Sequence, residues 1–276
     1  MKFSVLMSIY YKEKAEYFNR AMQSIWDEQS AKPNEIIIVE DGPLTDELYK
    51  SIDGWKIKLG NVLKTISLEQ NVGLGDALNE GIKHCSHELI ARMDTDDISL
   101  PNRFKKQLKI FQNSDIDIDI CSSWVSEFDS DEKEIISYRR LPANHKTIIE
   151  YGKVRCPINH PAVMYKKSII EKSGGYKRMM WFEDYYLWGR MIINNAKFHN
   201  IQEPLVNMRA GYEQLERRSG LKYALSEVDL QKEFLKIGFI NYLEFIRNVT
   251  IRFIVRIIPR FLVKLIYKRI RNNNGK

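Results

Sequence analysis

Three carboxylates crowd into four positions, Asp94-Thr95-Asp96-Asp97, directly after the apolar-leaning segment Glu88-Leu89-Ile90-Ala91. An acidic cluster that closes a strand gathers like charges at the carboxyl edge of a sheet, where open α/β folds bind their ligands. A hard divalent cation, Mg2+ or Mn2+, would relieve the repulsion with one or two carboxylates and diphosphate oxygens in its shell. The same residues also suit a solvated acidic turn that caps the helix after Leu100-Pro101. Asp41 closes a second apolar run and precedes Gly42-Pro43. Its carboxylate could accept from a ribose hydroxyl or the imide N–H of uracil, or simply stabilise that turn. Between the two lies Asn71-Val72-Gly73-Leu74-Gly75, whose glycines allow close backbone approach at a helix N-terminus, a natural seat for negative charge. This is not the dinucleotide fingerprint, because the third glycine is missing and the element sits in the third unit rather than the first. Glu183 and Asp184 stand inside the aromatic stretch Trp181–Trp188. Apolar surroundings make a carboxylate a better base, and aromatic faces such as Trp181 pack on sugar rings. A helix start with acids at the positive end of its dipole is the plainer reading. His160 lies in the proline-bracketed loop Cys156–Pro161 and has no second histidine at ligand spacing, so it fits a structural or substrate-positioning role better than a metal.

The elements that must position these groups follow from hydrophobic periodicity. Phe3–Ile9, Glu35–Val39, Val62–Leu68 and Glu88–Met93 read as strands, the first too apolar for a half-exposed one. Helical spacing marks Glu16–Gln29, Asp46–Leu59, Leu74–Cys85 and Pro101–Phe111, the last with proline in its first turn. Alternation of this kind implies βαβ units and a mostly parallel sheet, which puts Asp41 and the Asp94–Asp97 cluster along one edge. Beyond Asn113 the rhythm loosens. Ile118–Cys121, Lys133–Tyr138 and Pro161–Tyr165 read as strands and Glu183–Asn194 as a helix.

At 276 residues, with 44% hydrophobic and 29% charged content, the chain is a globular protein rather than a disordered one. Phe3–Tyr11 is too short for a signal peptide, and no uncharged apolar run reaches the roughly 18 residues of a spanning helix. Cys85, Cys121 and Cys156 form no CxxC pair and fit small core residues in a reducing cytoplasm. Charge is unevenly placed. Phe245–Lys276 holds nine Lys or Arg and no acid, leaving 34 basic against 36 acidic residues in Met1–Glu244. The body is therefore no general polyanion binder, and no nucleic-acid module is recognisable. Arg247, Arg252, Arg256, Arg260, Lys264 and Lys268 recur nearly every four residues among bulky apolar ones, with Pro259 dividing the helix. That pattern describes an interfacial helix on anionic lipid, through Arg247–Arg271, or a helix packed on the protein with a solvated basic face.

The order of Ser4–Tyr10, Val39-Glu40-Asp41-Gly42, Asn71-x-Gly73-Leu74-Gly75-x-Ala77-Leu78-Asn79, Met93-Asp94-x-Asp96-Asp97 and Phe182-Glu183-Asp184 resembles family 2 glycosyltransferases of the GT-A fold. Within them the chain is similar to bacterial enzymes that build O-antigen, capsule or amylovoran-type repeat units. The resemblance runs from about Met1 to Arg218. It implies an α/β GT-A catalytic domain over residues 1–218, with a mostly parallel mixed sheet flanked by helices, and a C-terminal helical region, 219–276, with a basic amphipathic tail. It further implies Asp41, Asn71, Gly73, Asp94, Asp96 and Asp97 at the nucleotide sugar, Asp96 as the holder of Mn2+ or Mg2+, and Asp184 as base with Glu183 beside it. His160 and Trp181 are candidates for the acceptor pocket. The implied partners are a UDP-sugar and an undecaprenyl-pyrophosphate-linked acetamido sugar at the cytoplasmic face of a bacterial inner membrane. A β-1,3-linked glucose or galactose would be the sugar transferred. The Gln-x-x-Arg-Trp signature of processive synthases is absent, which implies one sugar per acceptor. Two other readings stand beside this one. A sugar-1-phosphate nucleotidylyltransferase would need a Gly-rich, basic first loop where Tyr10-Tyr11-Lys12-Glu13 stands. A non-catalytic membrane-bound assembly partner would not need Asp96 and Asp184.

Overall fold

Alternate residues of the first strands bury into opposite faces of one sheet, and that alternation organises the computed structural model. It describes residues 1–112, 117–210 and 220–257, with side chains through Arg252. The chain divides into two units, Met1–Arg178 with Glu183–Gly211, and Met179–Phe182 with Tyr212–Lys276.

In the first unit, β1 (Phe3–Ile9), β2 (Glu35–Glu40), β3 (Leu63–Ser67) and β4 (Leu89–Arg92) are parallel. The helices between them are α1 (Ala15–Ile25), α2 (Asp46–Leu59) and α3 (Leu74–His84). Phe3, Val5, Met7 and Ile9 pack with Phe18, Met22 and Ile25 of α1 and with Leu48 and Ile52 of α2. Leu6, Ile37, Val39 and Ile90 face the other way, towards Ala77, Leu78 and Ile82 of α3. A Cβ on Gly81 would lie 2.3 Å from Leu6 Cδ1 and 2.8 Å from Val39 Cγ2, so only glycine lets α3 lie this close to the sheet. Then follow β5 (Ile98–Ser99), α4 (Arg103–Gln112), β6 (Ile120–Phe128), β7 (Ile135–Arg139), α5 (His145–Gly152), β8 (Met164–Lys166), α6 (Lys167–Lys172), α7 (Glu183–Ile193) and β9 (Phe198–Arg209). The sheet order is β3-β2-β1-β4-β8-β6-β9-β5, with β7 added along β6. β8 runs antiparallel to β4 and β6, whereas β9 runs parallel to β6 and antiparallel to β5.

Several expected boundaries shift. α1 ends at Ile25, four residues early, with Trp26 as its C-cap. The strand expected at Ile118–Cys121 begins at Ile120 and runs to Phe128. The apolar Pro161–Tyr165 splits between a 3-10 turn at His160–Ala162 and β8. The twelve-residue β9 carries no alternating signal. Its register shifts against Ser123–Val125 around Pro204, where a missing N–H is tolerated at a bulge.

In the second unit, α8 (Leu221–Lys236) and α9 (Tyr242–Ile257) form an antiparallel pair, with Asn248 bonded to Gln231 at 2.8 Å and Arg252 ion-paired to Glu227. Ser226 Oγ donates to Met180 O, and Tyr223 packs on Trp181 and Phe182. This corrects the reading of Arg252 as part of a lipid-facing cationic stripe. Glu227 and Gln231 are buried polar groups that need partners, and Arg252 and Asn248 supply them. The outward residues of α9 are instead Tyr242, Leu243, Ile246 and Ile251, 45–77% exposed, with exposed Arg247 beside them. The remainder of the expected tail, Arg256 and Pro259–Arg271, lies outside the described side chains.

Candidate active site

Parallel register brings the acids together. Ile9 pairs with Glu40 and Leu6 with Arg92, so the chain leaves β2 and β4 on either side of β1 at the same edge. Asp41 N donates to Ile9 O and Met93 N to Leu6 O, carrying the pairing one residue further on both sides.

Asp41 is buried, but not for the turn at Gly42-Pro43. Its Oδ1 accepts from Val72 N at 2.7 Å, and its Oδ2 accepts from Gly73 N at 3.1 Å and Asn71 Nδ2 at 3.0 Å. Those bonds fold the Asn71–Gly73 loop onto the end of β2 and start α3 there, with Gly73 at φ 93° as the residue before its first turn. Gly42, at φ 84°, lies so near that a Cβ would stand 2.7 Å from Asn71 N. A carboxylate has about four lone-pair positions, so Asp41 retains capacity for one further donor.

The acidic turn is less bare than its sequence implies. Arg92, a cation in an otherwise apolar buried strand, forms a two-point ion pair with Asp94. Arg103 lies beneath, fully buried, and donates to Arg92 O; burial and the Arg92 charge hold its guanidinium down at about 9. Asp94 is therefore partnered within the protein, so the like charges gathered at this edge are in part balanced by Arg92. Asp96 is pushed up to about 7 by burial and then by the charges of Asp94 and Glu13. Glu13 reaches this turn by accepting from Thr95 Oγ1 at 2.7 Å. Asp97 is 2% exposed and raised well above the usual range by burial and by its acidic neighbours. It accepts from Arg209 N at 2.8 Å, tying the end of β9 to the turn, while its Oδ2 has no hydrogen-bond partner among the described residues. Arg209 in turn stacks over Tyr17 at 3.8 Å and donates to Asp96 O.

Glu183 and Asp184 open α7, where Asp184 Oδ1 accepts from Tyr185 N at 2.7 Å. Cys156 Sγ stands 3.8 Å from Asp184 Oδ2. Burial, then the charge of Asp184, raises Glu183. His160 Nε2 and the Tyr176 hydroxyl are 2.8 Å apart, with the edge of Trp188 against the imidazole. Burial, then the charge of Arg92, pushes His160 well below its ordinary value, so the ring is neutral.

One close approach and one shared electrostatic influence join these parts. A Cβ at Gly75, two residues along from the Asp41-bound loop, would lie 3.6 Å from Glu183 Cγ. The buried phenol of Tyr176 is raised chiefly by burial, and the charges of Asp184 and Asp94 both add to that rise, so one side chain lies within electrostatic reach of both carboxylates. Asp41, the Asp94–Asp97 turn, His160 and the Glu183-Asp184 pair thus belong to one region of the first unit. Trp181 belongs to the second unit, at φ 67° and 5.3 Å from Tyr223. Sequence reasoning passed over Arg92, Tyr176 and Glu13. Arg92 alone had a legible signal, since a cation in a buried strand needs an acid close by.

The family model "Glycosyl transferase family 2" matches residues 4–174. The chain belongs to that family. This glycosyltransferase is 41% identical, over 98% of its length and 96% of the other, to an Escherichia coli protein named UDP-Gal:alpha-D-GlcNAc-diphosphoundecaprenol beta-1,3-galactosyltransferase. It is 34% identical to the amylovoran biosynthesis glycosyltransferase AmsE of Erwinia amylovora, over 97% and 98% of the two chains. Among solved structures it resembles S. aureus TarS 1-349 in complex with UDP-GlcNAc, at TM-score 0.64 and 17% identity over 85% of this chain and 67% of that one. The mannosyltransferase PcManGT of Pyrobaculum calidifontis, with GDP-Man and Mn2+, gives TM-score 0.62 and 15% identity over 90% and 68%. At such identities the structures establish the GT-A fold alone.

Proposed function

We propose that this glycosyltransferase moves a hexose, galactose before glucose, from its UDP-sugar to a lipid-diphosphate-linked acetamido sugar, forming a β-1,3 linkage by inversion. What supports this most is the gathering of an Asp41-anchored loop, an acidic turn and the Glu183-Asp184 pair around α3 and Tyr176. The preference for galactose, and the lipid diphosphate, rest on the name of the E. coli relative.

In this reading the remaining lone pair of Asp41 accepts the uracil imide N–H, and the N-terminus of α3 faces negative charge. The donor set fits a cation: Asp96 is raised first by burial and then by the charges of Asp94 and Glu13, and Asp97 Oδ2 is buried with no hydrogen-bond partner among the described residues, a crowding of carboxylates that a cation would relieve. Asp96, together with substrate oxygens, would hold such a cation. Such a cation, when bound, neutralises charge on the departing diphosphate. Asp184 accepts the proton of the acceptor hydroxyl while that oxygen bonds to the anomeric carbon. The bond from that carbon to the diphosphate breaks, and its electron pair leaves with UDP. Attack from the face opposite the leaving group inverts the centre.

The protein would work on a membrane surface, through the exposed apolar residues of α9 and the cations that follow. No described helix is long and apolar enough to cross a membrane. Family membership leaves the nucleotidylyltransferase and non-catalytic readings without a supporting observation. The test is a panel of UDP-sugars with a synthetic GlcNAc-diphosphate-lipid, scored by product mass with and without a chelator. UDP-galactose should give one added hexose, lost on chelation. Transfer from other sugars alone would refute the donor assignment.

A further inference from the structure

Asn79 closes the motif that begins at Asn71, yet nothing in the reaction above uses it. Its side chain makes a two-point amide pairing with the backbone of Tyr176, as a neighbouring strand would. Nδ2 donates to Tyr176 O at 2.8 Å, and Oδ1 accepts from Tyr176 N at 2.7 Å. The turn before Tyr176 is shaped for this contact. Gly174 and Gly175 have φ 76° and 62°, and a Cβ on Gly175 would stand 2.6 Å from Asn79 Oδ1. From the opposite side, Arg190 of α7 donates to Ser173 O and Gly175 O, with its guanidinium over Tyr186. Residues 173–176 are thus gripped between two helices.

The consequence lies in what the start and the middle of α3 hold. Its N-cap residue, Gly73, is bound to Asp41 through its N–H, and Asn79 lies six residues on, about 9 Å along a rigid helix. Tyr176 carries the His160 contact, and the charges of both Asp94 and Asp184 reach it. We propose that Asn79 is a positioning residue: through Tyr176 it sets the spacing between the Asp41-bound nucleotide loop and the His160–Asp184 side, where the acceptor is deprotonated. The inference rests on the reading of Asp184 as base and of Asp41 as a nucleotide contact. The direct effect of losing Asn79 is on alignment of the acceptor hydroxyl with the donor carbon, where a displacement of about 1 Å costs up to ~100-fold in rate.

The experiment measures, for Asn79→Ser and Gly175→Ala, transfer to the lipid acceptor, UDP release without transfer, and UDP affinity by calorimetry. The ratio of transfer to release does not depend on the folded fraction, so a merely destabilised protein leaves it unchanged. The expected result is a ratio at least about tenfold lower in both variants, with UDP affinity within about twofold of wild type. If either variant folds too poorly to assay, the other, altered from the opposite side of the same contact, carries the test. An unchanged ratio, or a loss of UDP affinity that accounts for the whole effect, overturns the proposal. Asp184→Asn separates the two readings. Wild-type turnover in that variant sinks the base assignment, whereas its inactivity together with a wild-type ratio in Asn79→Ser sinks only the positioning role.

Discussion

Replacing Gly42 by alanine tests how the Asp41 loop is built. At φ 84° an L side chain costs about 1–2 kcal/mol. The new Cβ would lie 2.7 Å from Asn71 N and 3.0 Å from the Gln70 carbonyl carbon, both backbone atoms with no rotamer to change. The loop must therefore retreat, stretching the bonds from Val72 N and Gly73 N to the Asp41 carboxylate. A hydrogen bond to a charged group is worth about 1.5–3 kcal/mol, so losing one brings the total to roughly 3–5 kcal/mol. For a unit of this size each kcal/mol lowers Tm by about 2–4 °C, giving a fall on the order of 10 °C. UDP affinity should weaken at least about tenfold, or 1.4 kcal/mol, because Asp41 and the start of α3 move apart. Thermal unfolding and calorimetry with UDP read the two effects. A Tm and a UDP affinity both matching wild type would refute the account, since they would show that the loop does not need its hold on Asp41.

Asp184→Asn should lower transfer by about 100-fold or more while UDP binding persists, measured by product mass and calorimetry. Undiminished transfer would remove Asp184 from the base role. Glu35, 5% exposed at its side chain, offers a pH test. Burial pushes its carboxyl up, but bonds from Lys64, Ser86 and Ser4 outweigh that and bring it to about 2. Its folded value lies below its unfolded one, so its contribution is present above the ordinary carboxylate range and is lost as pH falls towards 2. Glu35→Gln should remove up to about 3 kcal/mol at pH 6 and much less near pH 2.5, read by urea unfolding. A pH-independent difference would contradict the sign. Leu243→Asp with Ile246→Asp should abolish sedimentation with anionic vesicles and leave transfer to a soluble acceptor analogue intact. Unchanged sedimentation would rule out the outer face of α9 as the lipid contact.

Periodicity alone located β1 to β4 and α2 to α3 closely, because β1, β2 and β4, buried on both faces, read as apolar runs and the helices between them repeat every three to four residues. Beyond residue 113 it failed where burial is uneven. β9 mixes Asn200, Gln202, Glu203 and Pro204 into a strand whose polar side chains bond to neighbours distant in sequence. Asn200, for instance, donates to Pro142 O and Pro157 O. No local pattern encodes such partners.

The residue types and their order determined the acids and where they fall. Asp41 follows β2, Asp94–Asp97 follow β4 and Glu183-Asp184 start α7, because strand ends and helix starts are written in local composition. Only the tertiary structure decided what those acids meet. It gave Asp94 to buried Arg92, closed Asp41 on the Asn71–Gly73 loop, bound Asp97 to the end of β9 and turned Arg252 inward to Glu227. A carboxylate's state depends on burial and on charges within a few ångströms, and chain packing, not spacing along the sequence, sets both.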